Sequence, residues 1–253
     1  MRALITGASS GIGREMAVQL SRMGYDLVLA ARSQDKLEEL QRQLPTQVSI
    51  HSLDLSLESS CHALYEAVKD DLPDILINNA GFGIFGEFVT GDLDEELNLI
   101  DLNIRALHIL TKLFLRDFVA AGRGTILNIS SIAAFMPGPL MSSYYASKAY
   151  VQRLTEAIYG ELSRHKSPVR ICALCPGPVK TNFNQRAGAA FLVDGPESGP
   201  VAAYALKKMF AGKLVIIPGW PIRLLRFFIR FAGTKSLLRM MYWVQSLRRG
   251  QSA

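Results

Sequence analysis

Residues 2–20 read "RALITGASSGIGREMAVQL", and the order of residue types in this stretch decides the fold. Arg2 to Thr6 is a short apolar run that stops at a glycine, the pattern of a buried strand. Gly7, Gly11 and Gly13 follow, and from about Ile12 to Met23 the apolar residues recur at helical spacing. A strand that passes through a glycine-rich turn into a helix leaves the first N–H groups of that helix unpaired. The positive end of the helix dipole faces the turn, and the glycines let a phosphate approach the backbone. The spacing departs from the G-x-G-x-x-G form, so this stretch defines the local architecture more firmly than its ligand.

The same alternation continues outward. "DLVLAA" (26–31), "QVSIHSL" (47–53), "DILINNAG" (74–81), "GTILNISS" (124–131), "VRICALCPGP" (169–178) and "KLVIIPG" (213–219) read as further strands. Helical patterns lie between them: "SQDKLEELQRQL" with Ser33 at its cap, "LESSCHALYEAVKD", a long stretch over about 92–119, about Ser143 to His165, and a short one near 197–211. Continuous apolar strands separated by helices predict a parallel sheet covered on both faces, doubly wound by right-handed crossovers. The expected class is α/β, a Rossmann-like single domain with a C-terminal helical extension. The division is 1–217 for the dinucleotide-binding catalytic part and 218–253 for the basic amphipathic extension.

Composition narrows the function. The chain has 253 residues, 49% hydrophobic and 20% charged, an ordinary globular balance with no uninterrupted apolar run long enough to span a membrane. "MRALITGASS" lacks a signal-peptide core, so a cytoplasmic protein is expected. Cys61, Cys172 and Cys175 suit a reducing compartment, and "CALC" without a second ligand cluster reads as packing cysteines. The four histidines fall in no metal-like constellation, so no metal is expected. Ten lysines and arginines and no acid follow Glu197, whereas residues 1–197 carry eighteen basic and twenty-two acidic residues. No nucleic-acid reading motif accompanies that charge.

The second strand ends "LAARS". A dinucleotide site with a free ribose 2′-hydroxyl normally places Asp or Glu there, but Ala31 fills the position, followed by Arg32 and Ser33. A guanidinium and a hydroxyl suit a 2′-phosphate that a carboxylate would repel, so NADP(H) is the expected cofactor over NAD(H).

"TGASSGIG" (6–13), "NNAG" (78–81), "NISS" (128–131), "YYASK" (144–148) and "PGPVKT" (176–181), in this order and spacing, resemble the short-chain dehydrogenase/reductase family from residue 2 to about 217. The resemblance implies a seven-stranded parallel sheet and a Tyr-x-x-x-Lys pair. Tyr144 has that distance to Lys148 and Tyr145 does not. Ser131, thirteen residues before Tyr144, matches the family's serine better than Ser130. The catalytic set implied is Ser131, Tyr144, Lys148 and Asn103, the last linking Lys148 to solvent through water, with Tyr145 and Ser130 as packing neighbours. By the same resemblance Gly7, Ser9, Ser10, Gly11, Ile12 and Gly13 cradle the cofactor. Asp54 and Leu55 meet the adenine, and Asn78, Asn79, Ala80 and Gly81 lie along the cofactor. Pro176, Gly177, Val179 and Thr181 cover the nicotinamide.

The roles have a physical basis. Reducing a ketone builds negative charge on its oxygen, which calls for a proton donor and hydrogen-bond donors there. A free tyrosine has a pKa of roughly 10. A lysine one turn away and an oxidised nicotinamide would both lower it. By the same resemblance the apolar "IAAFMPGPLM" and the apolar stretch from Phe183 to Val193 flank the reacting carbon, which favours a lipophilic ketone or secondary alcohol such as a 3-oxoacyl chain or a steroid. The alternative reading is an NADP(H)-binding regulatory or scaffold protein acting through its tail. In that tail Arg223, Arg226 and Arg230 repeat at helical spacing among leucines and phenylalanines. Two helices are expected there, serving as a lid over the cleft, as an interface of a homo-oligomer, or as a peripheral contact with a membrane.

Overall fold

The computed structural model describes residues 1–181, 183 and 195–249. Its strands are β1 (Arg2–Thr6), β2 (Asp26–Ala31), β3 (Val48–Ser52), β4 (Ile75–Asn78), β5 (Thr125–Ile129), β6 (Arg170–Leu174) and β7 (Val215–Ile216). Its helices are α1 (Gly11–Arg22), α2 (Gln34–Gln43), α3 (Glu58–Glu66), α4 (Leu93–Ile100), α5 (Leu107–Ala121), α6 (Ser142–Arg164), α7 (Ser198–Phe210), α8 (Trp220–Ile229) and α9 (Thr234–Arg249).

All seven strands run parallel in the order β3-β2-β1-β4-β5-β6-β7. Side chains alternate between two cores, as the strand period requires. Ala3 and Ile5 of β1 join Leu27, Leu29 and Ile77 beneath α1, α2 and α7, where Met16, Leu37 and Leu206 are buried. Leu4 points the other way, with Val28, Leu76 and Ile126, onto Leu64, Phe114 and Phe118 of α3 and α5. Burying a strand on both faces is what its unbroken apolar run allows. Each fully covered leucine or isoleucine contributes about 1.5–3 kcal/mol of transfer free energy. The result is one domain of the doubly wound, seven-stranded class.

Two local features differ from the periodicity. The helix expected over 92–119 contains, between α4 and α5, a π-helical segment, Asp101–Ala106, that carries Asn103. Ser33 occupies the N-cap position of α2, but its side chain makes no capping bond.

Strand order reverses between β1 and β4, so the turns leaving β1 and β4 part there, at the carboxyl edge of the sheet. Open α/β sheets take their ligands at such a switch point. The tail reaches this edge as well. Ile229 of α8 and Leu237 and Met241 of α9 pack with Ala133, Met141 and Tyr145.

Candidate active site

The turn after β1 is locked to the end of β4. Thr6 Oγ1 accepts from the backbone N–H groups of Asn79 and Ala80, both at 3.0 Å. Asn79 Nδ2 donates to the carbonyls of Thr6 and Gly7, both at 3.0 Å. Gly7 and Gly11 have φ of 64° and 55°, the left-handed region that glycine enters without strain. Gly13 is packed so tightly that a Cβ would stand 2.4 Å from Asn79 Nδ2. Ser9, Ser10 and Ile12 remain partly exposed around the start of α1. Ser10 sits at the N-cap with no side-chain cap, and no acid occupies the first turn. The leading N–H groups of α1 are therefore uncapped by side chains, which suits a phosphate. Thr6 opens the "TGASSGIG" stretch, and its hydroxyl organises the turn through partners more than seventy residues away.

Arg32 and Ser33 are exposed beyond β2. Arg32 Nη1 lies 3.8 Å from Asp54 Oδ2, a half-exposed pair. Asp54 Oδ1 also accepts from Ser56 N–H at 3.0 Å and Ser56 Oγ at 2.8 Å, so Asp54 makes the turn after β3. Leu55 and Ala80 line a small cavity with Thr6, Asn78 and Leu102. Asn78 donates from Nδ2 to Thr111 Oγ1 and Asn128 Oδ1, and Asn128 donates to Thr155, which braces β4 and β5 against α5 and α6.

Ser131 follows β5 and is buried; its Oγ accepts from Ala133 N–H at 3.1 Å. Ser130 donates to the Lys148 carbonyl at 3.0 Å and so pins the backbone of α6. Tyr144 and Lys148 lie one turn apart on α6, with Lys148 Nζ 5.8 Å from the centre of the Tyr144 ring. Tyr145 turns away, into the cluster with Met141, Ile229 and Leu237. Lys148 Nζ donates to the Ile129 carbonyl at 2.9 Å. Asn103 is buried; its Oδ1 accepts from Phe82 N–H at 3.0 Å, and its Nδ2 donates to Phe82 O at 2.8 Å and Ser147 Oγ at 3.1 Å. A Cβ on Gly81 would lie 2.8 Å from Asn103 Oδ1 and 3.5 Å from Lys148 Nζ, so that backbone borders the ammonium.

On the other side, Pro176 accepts from Ile132 N–H at 2.9 Å, Gly177 is covered by Ile222 of α8, and Val179 is buried. The Thr181 methyl faces Gly11, where a Cβ would stand 3.1 Å away, so the segment after β6 closes over the glycine turn. Of the apolar stretch 183–193, only Phe183 is among the described residues. Its ring lies 5.3 Å from that of Tyr144.

Burial is the largest influence on both members of the Tyr144–Lys148 pair. Tyr144 is only partly covered, yet burial of its phenol in the surrounding protein pushes its pKa above the ordinary value; a hydrogen bond with Ser131 opposes this and Tyr145 adds to it. Burial lowers Lys148 to about 8, with Cys175 opposing. The cysteines are free and buried, and burial raises Cys61 to about 11 and Cys172 and Cys175 to about 12, which makes them inert packing groups. Among the described residues no group of three or more His, Cys, Asp or Glu could hold a metal.

A phosphate-ready turn at the switch point, beside a buried lysine and a tyrosine that bonds a serine, defines a dinucleotide-dependent oxidoreductase. The family model for short chain dehydrogenases matches residues 1–190, and the chain belongs to that family. It is similar to a short-chain dehydrogenase from Sphingobium yanoikuyae in complex with NADPH: 35% identical, TM-score 0.81, covering 87% of this chain and 88% of that one. It is also similar to the bulky-bulky ketone specific alcohol dehydrogenase from Comamonas testosteroni: 30% identical, TM-score 0.76, covering 86% and 85%. Very-long-chain 3-oxoacyl-CoA reductase of Rattus norvegicus is 32% identical over 167 residues, 63% of this chain and 54% of that protein, so the match spans about half of that relative's length.

Proposed function

We propose that this chain transfers hydride between NADP(H) and a lipophilic ketone or secondary alcohol. The observation that carries the reading is Tyr144, bonded with Ser131 and one turn from buried Lys148, at the sheet edge that holds the glycine turn. When bound, the reduced nicotinamide supplies the hydride. Tyr144 donates its proton to the carbonyl oxygen as negative charge grows there, and Ser131 donates a hydrogen bond to the same oxygen and orients it. In the oxidising direction Tyr144 takes the alcohol proton as phenolate, the form that the positive charges of Lys148 and of the oxidised cofactor favour. Lys148 would also hold the nicotinamide ribose. Asn103, tied to Phe82 and Ser147, keeps the π turn and that end of the site in place.

For the cofactor, the support is Arg32 and Ser33, exposed where a carboxylate would otherwise stand. For the substrate, the support is the apolar surround of Tyr144, made by Phe183, Ala133 and Met141, together with the ketone and 3-oxoacyl chemistry named for two relatives. A scaffold has no use for this donor set. The deciding experiment is a screen of apolar ketones, 3-oxoacyl thioesters and steroids that follows NADPH consumption, with Tyr144→Phe as control. Turnover of some carbonyl that disappears in the control supports the reading. NADPH binding with no turnover across the panel would favour the scaffold.

A further inference from the structure

We infer that α8 and α9 form a docking surface for an anionic lipid bilayer, held in the plane of the headgroups. The argument is independent of the catalytic reading. α8 touches the domain along one stripe only: Ile222 packs beside Cys175 and Ile217, Arg226 stacks on Phe135 with its guanidinium 4.5 Å from the ring centre, and Ile229 is buried. These positions are spaced by four and three, one helix face. The face two residues out of phase, directly opposite, is Trp220, Leu224 and Phe227, spaced by four and three, and Phe231 extends it in the turn after the helix. They are 70%, 47%, 53% and 74% exposed. An outward face should be polar in a helix that meets only water, so this one is apolar where it has no protein to cover.

α9 repeats the arrangement. Leu237, Met241 and Gln245 are buried against the domain, while Met240, Trp243 and Leu247 form an exposed stripe at spacings of three and four. Tyr242 turns aside to donate to Glu87 at 3.1 Å. Exposed Arg223 and Arg230 flank the α8 stripe, Lys235 and Arg239 lie exposed on α9, and no acid occurs anywhere after Glu197. Apolar bulk with arginines alongside and no balancing acid is what an interfacial helix presents to anionic lipid. A symmetric contact between two copies would instead bring these arginines toward one another with no carboxylate on either helix to pair them. Spanning is excluded for these helices: α8 has ten residues, about 15 Å by the helical rise, and no helix among the described residues is long and apolar enough to cross.

The chain carries its own probe, since its two tryptophans, Trp220 and Trp243, both lie on the proposed surface. The full chain would be mixed with phosphatidylcholine vesicles, with and without phosphatidylserine, at low and high salt. Sedimentation and tryptophan emission are read together. The expected result is co-sedimentation and a blue shift with phosphatidylserine at low salt, both reduced by high salt. Arg223→Gln and Arg230→Gln should each weaken binding about fivefold. The triple Trp220→Ser, Phe227→Ser, Phe231→Ser, all at exposed positions, should abolish sedimentation while the circular dichroism of the fold is retained. The inference is overturned by absence of sedimentation at low salt. It is equally overturned by sedimentation without an emission change, which would place the lipid on another basic surface. A dimer in light scattering that the triple variant converts to monomer would assign the face to a second copy and overturn it too.

Discussion

Gly13→Ala tests the packing of the glycine turn, and its effect can be worked out from the structure. A methyl at this position would stand 2.4 Å from Asn79 Nδ2 and 2.6 Å from the Gly7 carbonyl oxygen, both far inside contact distance. The Asn79 amide must then leave, breaking its bonds to the Thr6 and Gly7 carbonyls, each worth about 1 kcal/mol net. Forcing a methyl into a filled space adds about 1–3 kcal/mol. Because Gly13 lies in the first turn of α1, alanine recovers about 1 kcal/mol of helix propensity. The net expectation is a loss of about 2–4 kcal/mol, read from the urea midpoint at an unchanged slope. The double variant with Asn79→Ala should lose less than the sum of the singles, since the displaced amide is then already gone. A Gly13→Ala protein within about 0.5 kcal/mol of the parent would refute the close approach of α1 to the end of β4. If stability fell as expected while NADPH affinity stayed unchanged, the turn would not be the cofactor's cradle.

Arg32→Asp should reverse the preference for NADPH over NADH, because a carboxylate bonds two ribose hydroxyls and repels a 2′-phosphate; fluorescence titration of both cofactors reads this, and equal or better NADH affinity in the parent protein would sink it. Tyr144→Phe should lower kcat by at least about a hundredfold and leave NADPH binding largely intact, while Tyr145→Phe, in the packing cluster, stays within about tenfold; the reverse ranking would show the register to be wrong. Lys148, held near 8 by burial, loses its charge as pH rises through that value, while the raised Tyr144 phenol stays protonated, so kcat/KM for reduction should fall above about pH 8 and not below it. The sign for stability is opposite. The unfolded chain keeps the Lys148 proton up to about 10.5, so between the two values it binds more protons than the folded state. This residue then makes the fold more stable as pH rises, a slope that Lys148→Met should remove.

What the sequence by itself determined is whatever short-range geometry can dictate. Strand period and helix period are set by backbone sterics, so "RALITGASSGIG" announces β1, the turn and α1, and seven such units make a parallel sheet. Helical spacing puts both Tyr144 and Tyr145 within reach of Lys148, and the Tyr-x-x-x-Lys resemblance separates them. The missing carboxylate at Ala31 is equally local. Only the tertiary structure brought Thr6 to Asn79, Arg32 to Asp54 and Asn103 to Phe82, because the partners are tens of residues apart and meet only when the sheet closes. It also decided that Phe183 lies beside the Tyr144 ring, and that α8 docks through Ile222 and Ile229 with its aromatic face outward. The physical reason is that solvent exclusion belongs to the packed assembly. An amphipathic pattern says that a face will be covered, and the surrounding fold determines which one and by what.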